Sequence, residues 1–351
     1  MKAAGGSGPA LESFVPGSTL HRLATVSSFE LEAGAHPFEC ALIFVDISGF
    51  TALTERLAGE GSRGAEEVRE LLNACFAPLV DVILAHGGLI EKFAGDATLA
   101  LWPVDEAAGA RQGGLPEAVR RAVGCAHEIQ DTLNGLEVRE TRLHLKTAVV
   151  AGEAWATLTG GIEGRWESMV AGRVMGQIAP VLSQARPGDL VISSAAVDLA
   201  ASWLEGKRLK GGGLLFEHLV DPLPPRPLPS PVLDDATRRT LTAFVPFSIQ
   251  SRLEAGHTGW LAEFRRVTIL FVNLGTRPFV EGSLASLHDA IRALQRSIYR
   301  FGGGLNQLVT DDKGTCLIAA WGLAFRNYDD NASRSLRAAM DMPSCSQCLL
   351  L

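Results

Sequence analysis

The sequence has no surplus of positive charge: 32 Lys and Arg stand against 39 Asp and Glu, a net charge of −7. A mildly acidic chain draws neither nucleic acid nor an anionic membrane by its overall field, so any anionic ligand has to be held by local groups. Cysteine is scarce as well. Cys40, Cys75, Cys125, Cys316, Cys345 and Cys348 are too few and too scattered for a disulfide framework. Most of them sit in apolar periodic runs and read as buried free thiols. Long apolar runs are missing: the longest have strand length, such as residues 41–45, and give no bilayer-spanning candidate. Residues 1–9 are small and polar, without the apolar segment of a signal peptide, so the expected compartment is the cytoplasm. The eight histidines show no ligand spacing.

What is there is a globular mix, 47% hydrophobic and 20% charged, over 351 residues, a length that favours two domains. Residues 1–35 are rich in Gly, Ala, Ser and Pro and are expected to be flexible. Residues 40–46 (CALIFVD) have the pattern of a buried strand. From Val68 the apolar positions Leu71, Leu72, Cys75, Phe76, Leu79, Val80, Ile83 and Leu84 follow the helical repeat, and His86-Gly87-Gly88 supplies the stop. Two short strands, 89–93 and 97–102, are joined by a tight turn at Ala94-Gly95-Asp96. Pro116 opens a second helix, 143–149 alternates as a strand, and 154–159 with 165–170 reads as a long hairpin. A short helix over 175–185, a strand at 189–193 and a last helix over 195–204 follow. The order βαββαβ with extra strands predicts an α+β fold with helices on one face of a sheet.

Residues 221–231 (DPLPPRPLPSP) hold six of the 17 prolines and open an extended linker taken to run to 263. Beyond it the pattern starts again. ALIFVDISGFT (41–51) matches TILFVNLGTRP (268–278), and GGLIEKFAGDATLALW (87–102) matches GGLNQLVTDDKGTCLIAAW (303–321), about 225 residues further on. The chain therefore reads as an internal duplication with a complete first copy and half of a second, the latter closing with a helix near 331–342 and a tail over 343–351. The Cys345-Ser346-Gln347-Cys348 spacing has no second pair and reads as part of that tail.

The candidate chemistry lies in the first copy. Asp46 ends a buried strand and is followed by Ile47-Ser48-Gly49-Phe50-Thr51, a turn of small residues entering a helix. Backbone N–H groups at such a turn can bind phosphate oxygens, and Gly49 allows close approach. Asp96 lies between two antiparallel strands. If these flank the strand ending at Asp46, two carboxylates share one sheet edge beside a phosphate-binding turn, which suits a divalent cation bridging a nucleoside triphosphate. Taken singly, Asp46 reads as a cap or turn residue, Gly95-Asp96 as hairpin chemistry and Lys92 as a solvated side chain; only their joint order points to a cation site.

FVDISGFT followed by GGLIEKFAGDATLALW resembles the class III nucleotide cyclase catalytic domain, and the tandem arrangement with FVNL in the second copy resembles the soluble adenylyl cyclases. The resemblance implies a ferredoxin-like βαββαβ core with extra strands, a catalytic domain C1 over 36–220 and a partial C2 over 264–342. It implies that Asp46 and Asp96, with the Ile47 carbonyl, hold two divalent cations, Mg²⁺ or Mn²⁺. Ser48, Gly49, Phe50 and Thr51 would cradle the triphosphate of ATP, with Lys92 among the nucleotide-binding residues, and 3′,5′-cyclic AMP and pyrophosphate would be the products; the alternative is a pseudocyclase, a truncated module that binds nucleotide and metal without turnover. C1 and C2 would pair within the chain, or with another cyclase domain. Base choice would fall to Gln307 and Asp312, Gln307 standing where the family has lysine. Asp312 sits in an Asp-Asp-Lys-Gly turn and reads equally as hairpin chemistry. The family also uses an Asn and an Arg four residues apart on a later helix; in C1 these positions are Gly176 and Pro180, as befits the metal-bearing half, and Ala179 stands where a bicarbonate-binding Arg would be. Residues 155–166 (WATLTGGIEGRW) read either as a surface hairpin or as the family's arm that embraces the partner domain.

Overall fold

Why residues 40–46 sit at the heart of a sheet follows from their alternation. Ala41, Ile43, Val45 and Ile47 are buried against helices, while Leu42, Phe44 and Asp46 point to the other face. They belong to strand β1 (Gly34–Ser48), which follows helix α1 (Gly17–Thr25). The structure is a computed structural model that describes residues 11–25, 29–58, 62–104, 113–138, 141–254, 265–275, 284–311, 314–323, 326–342 and 349–350. Helices α2 (Phe50–Ala58) and α3 (Ser62–Ala85) come next, then the hairpin of β2 (Leu89–Ala94) and β3 (Ala97–Pro103), and α4 (Gly114–Leu133). Short strands β4 (Glu137–Val138) and β5 (Thr141–Arg142) precede β6 (His144–Ile162) and β7 (Arg165–Ala171). Helix α5 (Ile178–Leu182), β8 (Leu190–Ile192), α6 (Ser194–Ala200), β9 (Leu204–Arg208) and β10 (Leu214–Leu219) complete the first copy. After them lie α7 (Asp235–Leu241), α8 (Phe247–Glu254), β11 (Thr268–Asn273), α9 (Leu284–Arg300), β12 (Gly304–Asp311), β13 (Gly314–Trp321), α10 (Asn331–Asp341) and β14 (Leu349–Leu350).

The chain divides into two compact units. One comprises Pro37–Trp155 and Gly172–Ser230, the other Met1–His36, Ala156–Ala171 and Pro231–Leu351. In the first, the sheet order is β2-β3-β1-β6-β8-β10-β9, with β3 antiparallel to both β2 and β1. Strands β2, β3, β1 and β6 in that order are the expected ferredoxin-like core, a split βαβ with a hairpin strand inserted. On one face α3 contributes Leu71, Cys75, Leu79 and Ile83, one stripe at four-residue spacing, and α4 contributes Val119, Ala122, Val123, Ala126 and Ile129. The two strands expected at 143–149 and 154–159 are one continuous strand, β6, which runs unbroken through Gly152 at φ 149°. Cys40, Cys75 and Cys125 are buried free thiols as expected, and burial pushes Cys75 up to about 11. The prolines of 221–231 run without helix or strand, anchored where Arg120 donates to Asp221.

In the second unit the order is β12-β13-β11-β14, with α9 and α10 against it. Segments expected to be flexible or linker carry helices here: α1 from 1–35, and α7 and α8 from 221–263. Val15, Leu23, Leu158, Leu241, Phe244 and Val245 share an apolar cluster, and that burial is what orders them. Residues 349–350, expected as tail, pair with Val272 and Asn273 of β11. The hairpin 156–171 belongs to this unit. Fully buried Gln295 of α9 accepts from Ile162 N–H at 3.2 Å and donates to Arg165 O at 3.0 Å. Among the described residues no helix is long and apolar enough to cross a membrane.

The duplication is visible atom by atom. Helix α3 ends with Gly87 N–H on Leu84 O (3.1 Å) and Gly88 N–H on Ile83 O (2.9 Å). Helix α9 ends with Gly302 N–H on Tyr299 O and Gly303 N–H on Ile298 O, both 2.9 Å. Both are Schellman caps, and the first glycine of each is left-handed, at φ 75° and 76°. Trp102 Nε1 donates to His86 O at 3.0 Å, as Trp321 Nε1 donates to Phe301 O at 3.1 Å. Each following strand is bulged at the same place, between Ile90 and Lys92 and between Leu305 and Gln307. The caps equate Gly87-Gly88 with Gly302-Gly303, one residue earlier than sequence matching aligned them. Three consecutive glycines in the second copy had left that register ambiguous.

Candidate active site

The edge where β1 ends and the β2–β3 hairpin turns brings the two predicted carboxylates together. Asp46 stands opposite Ala97 in the β1–β3 ladder, and Ile47 N–H donates to Asp96 O at 3.2 Å. Both aspartates are half-buried. Burial, and then the charge of Asp96, push the Asp46 carboxyl above its ordinary value, while Lys146 pulls it back. Two like charges held this close ask for a cation between them.

The backbone around them is open. Ser48 and Gly49 form the turn into α2, whose first bond runs from Leu53 N–H to Gly49 O. Gly49 has φ +90° and Gly95 φ +65°, and a Cβ added to either would meet nothing within 4 Å among the described residues. Space beside two left-handed glycines lets a ligand approach the main chain closely. Ser48 Oγ is buried and has no hydrogen-bond partner among the described residues. A buried hydroxyl without a partner is costly, and a phosphate or cation-bound oxygen would satisfy it. No group of three or more His, Cys, Asp or Glu gathers as a metal-ligand set among the described residues. The two carboxylates would thus need the Ile47 carbonyl, phosphate oxygens and water to complete a coordination shell, which is how Mg²⁺ is commonly held.

Asp46, Ile47, Ser48, Gly49 and Phe50 follow one another through the turn beside Asp96, with the Phe50 side chain buried in the core. Thr51 lies in α2, but its side chain is outside the described residues. Lys92 on β2 stands opposite Leu99, which places it on the face of Asp46, away from the helices. Gln307 occupies on β12 the register position of Lys92, in the other unit. Asp312 lies outside the described residues. Gly176 lies in a 3-10 turn over Met175–Gln177, with Ala179 and Pro180 in α5. One residue escaped the sequence reading: Lys146, on β6, alternating with buried Leu145 and Thr147 and near enough to affect Asp46. The only signal for it was a cation in the polar phase of an otherwise apolar strand.

The second copy has the same frame without the acids. By register Asn273 replaces Asp46 and Thr315 replaces Asp96; Leu274 N–H donates to Thr315 O at 2.7 Å as Ile47 N–H does to Asp96 O. Asn273 Oδ1 accepts from Gly275 N–H at 2.8 Å, so this turn satisfies itself.

No family model matches the chain. It is 29% identical over 356 residues to adenylate cyclase type 10 of Oryctolagus cuniculus, covering 88% of this chain and 21% of that protein. An uncharacterised protein of Mycobacterium tuberculosis is 33% identical over 184 residues, 50% of this chain and 31% of that one. The crystal structure of the adenylyl cyclase CyaB from P. aeruginosa aligns with 56% of this chain and 100% of its own, at 20% identity and a TM-score of 0.42. The chain spans about a fifth of the length of the type 10 cyclases it matches. The resemblance to class III nucleotide cyclases, and among them to the soluble adenylyl cyclases, is borne out by the sequence matches.

Proposed function

From that resemblance and the geometry of the first copy, we propose that the chain binds a nucleoside triphosphate, ATP, with two divalent cations and takes part in forming 3′,5′-cyclic AMP and pyrophosphate. The observation that carries this reading is the meeting of Asp46 and Asp96 at one sheet edge beside the Ser48 hydroxyl, which has no partner among the described residues. Bound cations would lower the pKa of the ribose 3′-hydroxyl and clamp the entering and leaving oxygens of an in-line displacement at the α-phosphorus. Asp46, Asp96 and the Ile47 carbonyl hold the cations. The Ser48–Gly49 turn and the first N–H groups of α2 receive phosphate oxygens, with Thr51 beside them. Lys92 and Lys146 offset the charge of the triphosphate on the same sheet face. By the resemblance, base choice would fall to Gln307 and Asp312 wherever the second copy serves a nucleotide site.

The test is a cyclic AMP assay on the full chain with Mg²⁺ or Mn²⁺ and ATP. Loss of Asp46 or Asp96 (Asp46→Ala, Asp96→Ala) is expected to lower the rate by about a hundredfold or more. Turnover that survives both substitutions would remove these residues from the mechanism. Binding of a non-hydrolysable ATP analogue without any turnover would favour a nucleotide-binding pseudocyclase.

A further inference from the structure

Three phenylalanines of the first unit meet behind the two turns of the candidate site. Phe50, buried, is the first residue of α2, directly after Gly49. Phe93, 45% exposed, lies on β2, three residues before Asp96. Phe76 of α3 stands edge-to-face against both. Its ring centroid is 6.2 Å from Phe50 at 78° and 5.3 Å from Phe93 at 88°. Edge-to-face pairs are directional and aromatic rings are stiff, so such a trio transmits position rather than merely filling space.

The two turns need a device of this kind. Gly49 and Gly95 are both left-handed, and among the described residues nothing packs within 4 Å of the space beside either. Their backbones are joined by the bond from Ile47 N–H to Asp96 O. The β1–β3 ladder, whose last pair is Asp46 opposite Ala97, stops at that bond, and a tie at a distance holds the turns that run on past it. We propose that Phe76 is a positioning residue: through Phe50 and Phe93 it sets the spacing between the turn carrying Ser48 and the turn carrying Asp96. It touches neither nucleotide nor cation. Its purpose rests on the site assigned to Asp46 and Asp96, whereas the mechanical coupling stands on the ring geometry alone.

Peptide-resolved hydrogen exchange on the full chain tests the coupling without reference to activity. In Phe76→Leu, which keeps an apolar side chain but no ring, residues 46–53 and 91–98 are both expected to exchange about fivefold faster, with 304–321 unchanged. Phe93→Leu, at a partly exposed position that tolerates change, is expected to speed exchange at 46–53 as well. Exchange that stays at the wild-type rate, or rises only in the peptide bearing the substitution, overturns the proposal. Should Phe76→Leu fail to fold, the response of 46–53 in Phe93→Leu decides alone. As a second readout, the apparent Kd for Mn²⁺ with a non-hydrolysable ATP analogue should rise about fivefold in Phe76→Leu and recover in Phe76→Tyr, which restores the ring. A purely structural role would lower stability without this loss and recovery. If the unmodified protein binds neither, the functional reading falls, and the purpose given to Phe76 with it, while the exchange data still judge the coupling.

Discussion

Adding one methyl group at Gly88 should disturb the first unit out of proportion to its size. Gly88 has no need of a left-handed backbone, since its φ is not among the positive ones, so the effect is steric. Its Cβ would lie 2.7 Å from Trp102 Cζ2 and 2.8 Å from Ile83 Cγ2, both closer than such atoms approach one another. Neither neighbour can yield cheaply. Ile83 is fully buried, and Trp102, 3% exposed, is pinned by its 3.0 Å bond to His86 O. Overpacking of this kind costs roughly 1–3 kcal/mol, and a ring that moves away gives up a buried hydrogen bond worth about 1 kcal/mol more. The Gly88→Ala variant is therefore expected to lose about 2–4 kcal/mol. Gly176→Ala is the control: its Cβ would meet nothing within 4 Å and its φ is not positive, so it should be neutral or slightly stabilising. Peptide-resolved hydrogen exchange in rising urea follows each unit separately, which a single melting curve of a two-unit chain does not. Because Gly303 stands against Trp321 in the same way, its Cβ 2.5 Å from Trp321 Cε2, Gly303→Ala should weaken the second unit comparably. A Gly88→Ala protein within about 0.5 kcal/mol of wild type would refute the packing described for this corner, and with it the equivalence of the two caps.

Other outcomes follow from the same structure. The Asp46 carboxyl is raised, chiefly by burial and then by Asp96, so between the ordinary carboxylate value of roughly 4 and its own pKa the folded protein holds a proton that the unfolded chain has released. Metal-free protein therefore loses stability as pH rises through that window; Asp46→Asn should abolish this loss and leave the metal-free protein more stable than wild type at neutral pH, as read by thermal melts. In the same window Mn²⁺ affinity should fall on acidification, because a proton competes for Asp46. Gln295→Leu removes two of the hydrogen bonds that fasten the hairpin 156–171 to α9, leaving that from Gly160 N–H to His288 Nδ1, and should cost about 2–4 kcal/mol in the second unit, with faster exchange at 158–166.

Much of the first copy was legible because its signals are local. The apolar stripe from Leu71 to Ile83, the glycines after α3 and α9 and the buried run through Val45 each report a periodicity or a φ requirement that survives into the fold. The meeting of Asp46 and Asp96 was legible for the same reason, as one ends a strand and the other lies in the tight turn of a predictable hairpin. What escaped depends on distant partners. Lys146 gains its meaning only when β6 carries it to the face of Asp46. Leu23 and Leu241 look like strays in polar segments until the cluster with Phe244 and Leu158 buries them. The single-residue shift between the two copies was hidden by Gly302-Gly303-Gly304, where only the carbonyl that each amide reaches reveals the register. Membership of the hairpin 156–171 in the second unit was likewise beyond local patterning, because it rests on Gln295, more than a hundred residues away.

The most direct test of the central claim is a calorimetric titration of Mn²⁺ into the full chain in the presence of a non-hydrolysable ATP analogue. Wild-type protein should bind the cation together with the nucleotide, and Asp46→Asn and Asp96→Asn should each weaken that binding by about tenfold or more, while Asn273→Ala in the second copy leaves it unchanged. Equal affinity in all four proteins would show that these two carboxylates do not form the cation site.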